Sequence, residues 1–193
     1  MRLIVGISGS SGAIYGIRLL QILRETTGVE THLIVSAPAK RIIAQETAYS
    51  VEAVEALATR VYDNQDIGAA PASGSFKTGG MVILPCSIKT VAALATSVGE
   101  TLMWRAGDVT LKEGRPLVVG VREAPLHLGH LRQLVALAEL GAVIFPPVPA
   151  FYTRPQSLDD IVDHTVGRIL DRLGIPNALV PEWTGTPPDR SGS

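Results

Sequence analysis

The 193-residue sequence has one cysteine, Cys86, and few charged residues, 18% of the chain against a typical share of about 25%. A single cysteine cannot form an internal disulfide. Seventeen basic residues balance eighteen acidic ones, so there is no overall attraction to nucleic acid or to an anionic membrane. Glycines and prolines interrupt each apolar run before the roughly 20 residues that span a bilayer, and no signal-peptide pattern opens the chain. We therefore expect a soluble, cytoplasmic protein without a membrane span or a nucleic-acid partner.

Apolar residues, in contrast, are abundant. Hydrophobic residues make up 46% of the sequence, and there are 19 glycines besides. The hydrophobic core of a single domain of this length does not need so many apolar residues. Contacts between subunits would bury the remaining apolar surface. The composition predicts a homo-oligomer.

Short apolar runs alternate with segments of helical periodicity along most of the chain, which predicts a single α/β domain with a mostly parallel sheet covered by helices on both faces. The long polar and glycine-rich stretch from Tyr62 to Gly80 exceeds an ordinary connection and is predicted to be a functional loop. Ser157 and Asp160 have capping-box spacing and predict the start of a helix. The predicted strands are Arg2–Ser8, Glu30–Ser36, Met81–Pro85, Arg115–Glu123 and Ala142–Phe145.

In a parallel sheet the loops that follow the strands meet at one edge, where ligands bind. These loops carry small residues, hydroxyls and several cations, and such a combination with helix N-termini suits a phosphorylated ligand. The sequence alone does not select FMN. The residues that follow the predicted strands are Gly9, Ser10, Ser11, Gly12, Ser36, Ser87, Ile88, Lys89, Thr90, Arg122, Glu123, Tyr152 and Arg154.

Several other chemistries lack their sequence patterns. There is no G-x-G-x-x-G spacing, no GK[ST] phosphate loop and no G-x-S-x-G elbow. Their absence disfavours a dinucleotide-binding site, a nucleoside-triphosphate site and a serine hydrolase triad. The four histidines are scattered and no cysteine pair or nearby carboxylate completes a ligand set, so no metal site is predicted. Cys86 is interpreted as a buried small residue.

Five segments in order resemble the flavin prenyltransferases of the UbiX type. They are GISGSSGAIYGIRLL, SGSFKTGGMVILPCSIKT, RAGDVTLKEGRPLVVGVREAPL, PPVPAFYTRPQSLDD and VGRILD. The resemblance implies a flavodoxin-like, Rossmann-like doubly wound sheet assembled into a homododecamer. It also implies a flavin-binding domain over residues 1–176 and a tail over residues 177–193 that can close over the site through Trp183.

By this resemblance the chain is a metal-independent prenyltransferase. It would join dimethylallyl phosphate to reduced FMN at N5 and C6 and release phosphate. The product, prenylated FMN, would pass to a UbiD-type decarboxylase.

The resemblance also implies roles for individual residues. Those implied to hold FMN are Gly9, Ser10, Ser11, Ser36, Ser87, Ile88, Lys89, Thr90 and Arg122. Those implied to face the prenyl phosphate are Arg105, Lys112, Glu123, Tyr152, Arg154 and Arg168. Ser11 and Glu46 would manage the proton at flavin N5, and Lys112 and Glu123 would also be catalytic. Trp104 departs from the family, which usually has a small or polar residue there.

Three alternatives remain open from the sequence. The chain could be the FMN-binding small subunit of a hydroxyarylic acid decarboxylase, which is a name some relatives carry. It could belong to the flavin-dependent cysteine decarboxylases, although only Met103 and Trp104 match their PxMNxxMW segment. It could also be a non-catalytic flavin carrier.

Overall fold

A single parallel sheet organises the computed structural model, which describes residues 1–180, 182 and 185. Its strands are β1 (Arg2–Ile7), β2 (Glu30–Val35), β3 (Arg60–Tyr62), β4 (Met81–Cys86), β5 (Leu117–Val121) and β6 (Val143–Ile144). They lie in the order β3-β2-β1-β4-β5-β6, and every paired neighbour is parallel. The order reverses between β1 and β4, which is the position where doubly wound sheets open a ligand crevice.

Helices cover both faces of the sheet. They are α1 (Ala13–Glu25), α2 (Ala37–Glu46), α3 (Val51–Glu55), α4 (Ile88–Thr96), α5 (Leu102–Lys112), α6 (Leu128–Glu139) and α7 (Leu158–Arg172), with short 3-10 turns at Ala70–Ala72 and Phe151–Thr153. The predicted flavodoxin-like, doubly wound α/β fold is confirmed.

Alternating side chains of β1, β2, β4 and β5 build two cores, one on each face. On β1, Leu3, Val5 and Ile7 pack with α1, α2 and α7, whereas Ile4 packs on the other side with α4 and α5. Because β1 is buried on both faces, it is apolar at consecutive positions rather than at every second one. The predicted strands are all present, and the Ser157 and Asp160 capping box is confirmed at the start of α7.

Three elements were not predicted: the edge strand β3, the short helix α3 and the longer helix α5. Helix α5 has a weak sequence signal because Gly107 and Asp108 interrupt its apolar pattern. Gly107 nevertheless packs closely on α4, since a Cβ there would lie 2.6 Å from a Cδ of Leu94. Close packing of α5 on α4 therefore stabilises a helix whose local propensity is modest.

The stretch from Tyr62 to Gly80 is mainly a crossover from the edge strand β3 to the central strand β4. The Arg115 guanidinium donates hydrogen bonds to the carbonyls of Gly74 and Phe76 at 2.8 and 2.9 Å, which holds the far part of the segment away from the carboxyl edge of the sheet. Only its first turn reaches the crevice described below.

Beyond α7 the chain folds back on that helix. The Asn177 amide donates to the Gly167 carbonyl at 3.3 Å and to Asp171 at 3.0 Å, and Leu179 packs on the α1/α7 core. Trp183 and the predicted closure of the tail lie outside the described residues. In the part of the chain that the structure describes, no helix combines the length and apolarity needed to cross a membrane.

Candidate active site

A cavity of about 800 Å³ opens at the carboxyl edge of the sheet, beside the point where the strand order reverses. The turns after β1, β2, β4 and β5 form one side of it, and the loop between α4 and α5 forms the other. Its lining includes every residue implied to hold FMN, together with Glu123. The structure thus brings together Gly9, Ser10, Ser11, Ser36, Ser87, Ile88, Lys89, Thr90 and Arg122 from four separate turns.

Buried hydroxyls connect the turns around this cavity. Ser8 donates to the Pro85 carbonyl at 3.0 Å and accepts from the Ser87 amide at 2.7 Å, so it joins the end of β1 to the turn after β4. Ser10 donates to the Arg122 carbonyl at 2.6 Å, which joins the turn after β1 to the end of β5. The serines at the end of β1 and in the turn after it therefore connect neighbouring turns, in addition to the role in FMN binding that is predicted for Ser10.

Gly9 is required by close packing rather than by backbone conformation. A Cβ at this position would overlap the ring of Pro38 at the start of α2. The turn after β1 and the first turn of α2 can therefore lie in direct contact at the cavity only with glycine here.

Glu46 occupies the N-terminus of α1 from outside the cavity lining. Its Oε2 accepts from the Gly12 amide at 2.8 Å, and Ser11 and the Ala13 amide also bond to the carboxylate. Burial raises the pKa of Glu46, but these hydrogen bonds outweigh it and hold the pKa below its ordinary value. Glu46 is therefore ionised at neutral pH, and Ser11, which lines the cavity, connects it to that space.

The N-terminus of α5 is also closed. The Asn64 carbonyl accepts from the Leu102 amide at 2.8 Å, its Oδ1 accepts from the Met103 amide at 3.0 Å, and Thr101 Oγ1 accepts from the Trp104 amide at 3.4 Å. The three amides that open the helix all have acceptors within the chain. Although α5 points its positive end toward the cavity, it has no spare donors for an anion.

The N-terminus of α4 differs from these two. Ser87 caps the helix, and its Oγ lies 3.0 Å from Thr90 Oγ1 and accepts from the Thr90 amide at 3.4 Å. The helix itself has no acceptor for the amides of Ile88 and Lys89, which precede its first internal hydrogen bond. Two amides, two hydroxyls and the exposed residue Lys89 thus lie at this side of the cavity, and such a set fits a phosphate.

Arg105 and Lys112 do not line the cavity within the same chain. Arg105 forms an ion pair with Asp108 at 2.8 Å. Lys112 ends α5 and forms an ion pair with Glu113 at 3.2 Å. Because a helix rises about 1.5 Å per residue, Lys112 lies about 15 Å along the axis from the cavity end of α5.

Tyr152, Arg154 and Arg168 do not line the cavity of their own chain either. The Tyr152 hydroxyl lies 3.1 Å from His164 Nε2, and Arg168 is one helical turn further along α7. Burial, and then the charge of Arg168, lower the pKa of His164, so its ring is neutral at physiological pH. Within one chain the residues implied to bind FMN and those implied to bind prenyl phosphate therefore form separate groups, with Glu123 the exception.

Sequence reasoning missed a second set of cavity residues. Asn64 and Gln65 follow β3. If β3 had been recognised in the sequence, it would have indicated that these two residues lie at the carboxyl edge of the sheet. The Val98–Thr101 loop, Met103 and Trp104 belong to the junction of α4 and α5, which was not recognised because α5 itself was not predicted. The additional lining residues are Ser8, Ala37, Pro38, Asn64, Gln65, Ala93, Val98, Gly99, Glu100, Thr101, Met103 and Trp104.

No cluster of three or more histidine, cysteine or acidic side chains suited to a metal occurs among the described residues. Burial raises the pKa of the Cys86 thiol, which lies wholly inside the protein and has no route to the cavity as a nucleophile.

Comparison with known proteins assigns the chain to a family. Residues 1–170 match the flavoprotein family. The chain is 58% identical over 186 residues to the flavin prenyltransferase UbiX of Escherichia coli K12, covering 95% of this chain and 98% of that protein.

Solved structures agree with this assignment. A dodecameric FMN-dependent UbiX-like decarboxylase from Escherichia coli O157:H7 superposes with a TM-score of 0.94 at 47% identity, covering 96% of this chain and 100% of the other. AnUbiX (PadA1) in complex with FMN and dimethylallyl pyrophosphate superposes with a TM-score of 0.94 at 43% identity, covering 96% and 98%. The chain therefore belongs to the flavoprotein family and, within it, to the UbiX-type flavin prenyltransferases.

Proposed function

We propose that this protein is a flavin prenyltransferase that joins the dimethylallyl group of dimethylallyl phosphate to N5 and C6 of reduced FMN and releases phosphate. The observation that carries the proposal is the cavity itself, which collects the residues implied to hold FMN around the open N-terminus of α4. The 58% identity to a curated flavin prenyltransferase supports it.

The cavity fits FMN in both its charge and its shape. The open N-terminus of α4 with Lys89 suits the phosphate, whereas Ile88, Val98, Met103 and Trp104 supply apolar surface for a flat ring. The reduced flavin, when bound, supplies the nucleophilic N5 and C6 atoms. The chain's own residues bind the flavin, shield it from water and handle the proton.

The proton at N5 is assigned to Ser11 and Glu46. Ser11 lies on the cavity wall and is hydrogen-bonded to Glu46, and this carboxylate remains ionised at neutral pH because the amides of α1 hold it. A carboxylate one hydrogen bond from the cavity can accept a proton through the serine hydroxyl. The arrangement thereby positions a base without exposing its charge directly to the flavin ring.

The prenyl phosphate is assigned to residues from more than one subunit. Glu123 lines the cavity, but Arg105, Lys112, Tyr152, Arg154 and Arg168 lie elsewhere on the same chain. As the allylic C–O bond breaks, negative charge develops on the phosphate, and cationic side chains stabilise it by charge-assisted hydrogen bonds. We therefore propose a homododecamer in which neighbouring copies bring these residues to the cavity.

The biological context is also part of the proposal. We place the enzyme in the cytoplasm, with a UbiD-type decarboxylase as the recipient of prenylated FMN. The related AnUbiX structure contains the pyrophosphate rather than the monophosphate. The assay below therefore compares both prenyl donors.

The test is anaerobic incubation of the purified protein with reduced FMN and dimethylallyl phosphate, followed by mass spectrometry of the released flavin. The expected product has the mass of reduced FMN plus C5H8, because the C5H9 group replaces one hydrogen overall, and inorganic phosphate appears in equal amount. Parallel reactions replace the donor with the pyrophosphate or omit the protein. FMN bound without any adduct would contradict the proposal and favour a non-catalytic carrier.

A further inference from the structure

Trp104 lies on the wall of the cavity but belongs to neither group of residues implied by the family. Together with Val98 and Met103 it forms an apolar surface at the junction of α4 and α5. The part of the lining at the start of α4 includes the polar side chains of Ser87, Lys89 and Thr90. The lining therefore offers hydroxyls and a cation at the start of α4 and an aromatic side chain at the α4–α5 junction, which suit the phosphate and the flat ring of FMN.

The indole ring is held tightly in place. A Cβ at Gly99 would lie 2.5 Å from Trp104 Cγ and 2.7 Å from its Cδ2, so the ring lies directly against the backbone of the α4–α5 loop. Trp104 is also in the first turn of α5, whose amides are bonded to Asn64 and Thr101. Both the backbone and the ring are therefore fixed before any ligand binds.

The polar atom of this side chain does not account for its position. The Trp104 Nε1–H is buried and has no hydrogen-bond acceptor among the described residues. Leaving a donor without a partner in the interior is costly, so its own hydrogen bonding does not explain this placement. Trp104 therefore contributes apolar aromatic surface to the wall of the cavity.

From this geometry we infer that Trp104 is a flavin-contacting residue that forms the apolar wall of the FMN site and contributes to FMN affinity through its ring, not through its N–H. The inference rests on the proposed function, since it takes FMN as the occupant of the cavity. A large aromatic surface against another aromatic ring is favoured by burial and by ring–ring interaction.

The test uses tryptophan fluorescence, because the chain has only two tryptophans, Trp104 and Trp183. In the Trp183→Phe variant of the full chain, all tryptophan emission comes from Trp104. Titration with FMN alone, without a prenyl donor, is expected to quench this emission strongly and to saturate at one FMN per chain. Quenching that needs the prenyl donor would overturn the inference and assign Trp104 to the second substrate.

Two substitutions at position 104 separate the ring from its N–H. Trp104→Ala is expected to weaken FMN binding roughly tenfold or more, measured as a dissociation constant by flavin fluorescence. Trp104→Phe retains an aromatic ring and removes the unpartnered donor, so it is expected to bind FMN within about threefold of the parent protein. Thermal unfolding of both variants checks that each remains folded.

These measurements distinguish a failure of the inference about Trp104 from a failure of the proposed function. If the parent protein binds FMN and forms the adduct, but Trp104→Ala binds FMN as tightly as the parent does, the inference is wrong and the prenyltransferase activity stands. If Trp104→Phe loses affinity as severely as Trp104→Ala, the N–H contributes and the inference is likewise wrong. If the parent does not bind FMN, the proposed function itself fails.

Discussion

Tyr152 and Arg168 illustrate how residues of one predicted site are divided between surfaces of the chain. Tyr152 is 60% exposed and bonded to His164, and Arg168 pairs with Asp171 at 3.6 Å, so neither contacts the cavity of its own chain. Both residues are predicted to bind the second substrate. Their substitution is therefore expected to slow turnover without weakening FMN binding.

Replacement of Arg168 by Ala is expected to lower prenylation by roughly 100-fold while FMN affinity changes less than about threefold, because a cation that stabilises the leaving phosphate is lost. Tyr152→Phe should act in the same direction. The measurements are the rate of adduct formation and the dissociation constant of FMN. Arg172→Gln, a charge substitution on the same helix, serves as the control. Purified Arg168→Ala protein that no longer binds FMN would refute this division of roles.

His32 is the buried titratable group for which a pH effect can be derived. It is 2% exposed, its Nδ1 lies 2.9 Å from the Tyr62 hydroxyl, and its Nε2 has no hydrogen-bond partner among the described residues, with Glu30 Oε2 4.0 Å away. Burial, followed by the charge of Arg2, lowers the pKa of His32 in the folded protein. The unfolded chain, with a histidine pKa of about 6.5, therefore takes up this proton first as the pH falls.

Stability is consequently expected to decrease as the pH is lowered from about 7.5 to about 5.5, with His32 adding at most about 1.4 kcal/mol per pH unit to the slope. His32→Gln should show a shallower slope in denaturant unfolding over this range. Tyr62→Phe keeps the titrating ring and should retain most of the slope of the parent. Identical slopes for the parent and His32→Gln would show that His32 does not titrate on unfolding.

Helix α5 shows how one side chain stabilises an element with a weak sequence signal. Asn64 is 8% exposed and supplies two of the acceptors at the N-terminus of α5, one from its backbone and one from its side chain. The helix in turn carries the apolar wall of the cavity. Capping by a distant residue thus connects the stretch after β3 to the candidate site.

Asn64→Ala is expected to lower the free energy of unfolding by about 1–2 kcal/mol, since the buried Met103 amide loses its acceptor. Asn64→Asp keeps the Oδ1 acceptor beside the positive end of the helix and should recover most of that loss. Denaturant unfolding without FMN measures both. A loss of equal size in Asn64→Ala and Asn64→Asp would show that the cap is not the cause.

At the scale of the whole molecule, helix α6 has an apolar face that the single chain leaves uncovered. Leu128, Leu131 and Val135 are 60, 45 and 58% exposed, and they recur at helical spacing. This face agrees with the apolar excess of the composition and with the proposed homododecamer. Subunit contacts would remove it from water.

Leu131→Asp is therefore expected to reduce the assembled mass, because a carboxylate would be buried in an apolar contact. Light scattering after size-exclusion chromatography measures the mass. Arg132→Gln, its neighbour on α6, should leave the assembly intact. Prenylation should fall together with assembly if neighbouring copies complete the substrate site, and full activity of a dissociated Leu131→Asp protein would contradict that arrangement.

The sequence by itself determined the alternation of strands and helices, the parallel sheet and the edge where the ligand residues meet. These follow from local periodicity and from the geometric rule that parallel strands end together, as Ser11, Lys89 and Arg122 illustrate. The implied roles of these residues came from resemblance to relatives and not from the pattern.

Only the tertiary structure decided that the N-terminus of α4 stays open toward the cavity and that Trp104 lines the cavity. Glu46 closes α1, Asn64 closes α5 and Trp104 packs directly on Gly99. Each of these contacts joins residues that are distant in the chain or depends on a close approach that no local pattern encodes. Capping and packing are satisfied by whichever groups the fold brings near, and this is a property of the folded chain alone.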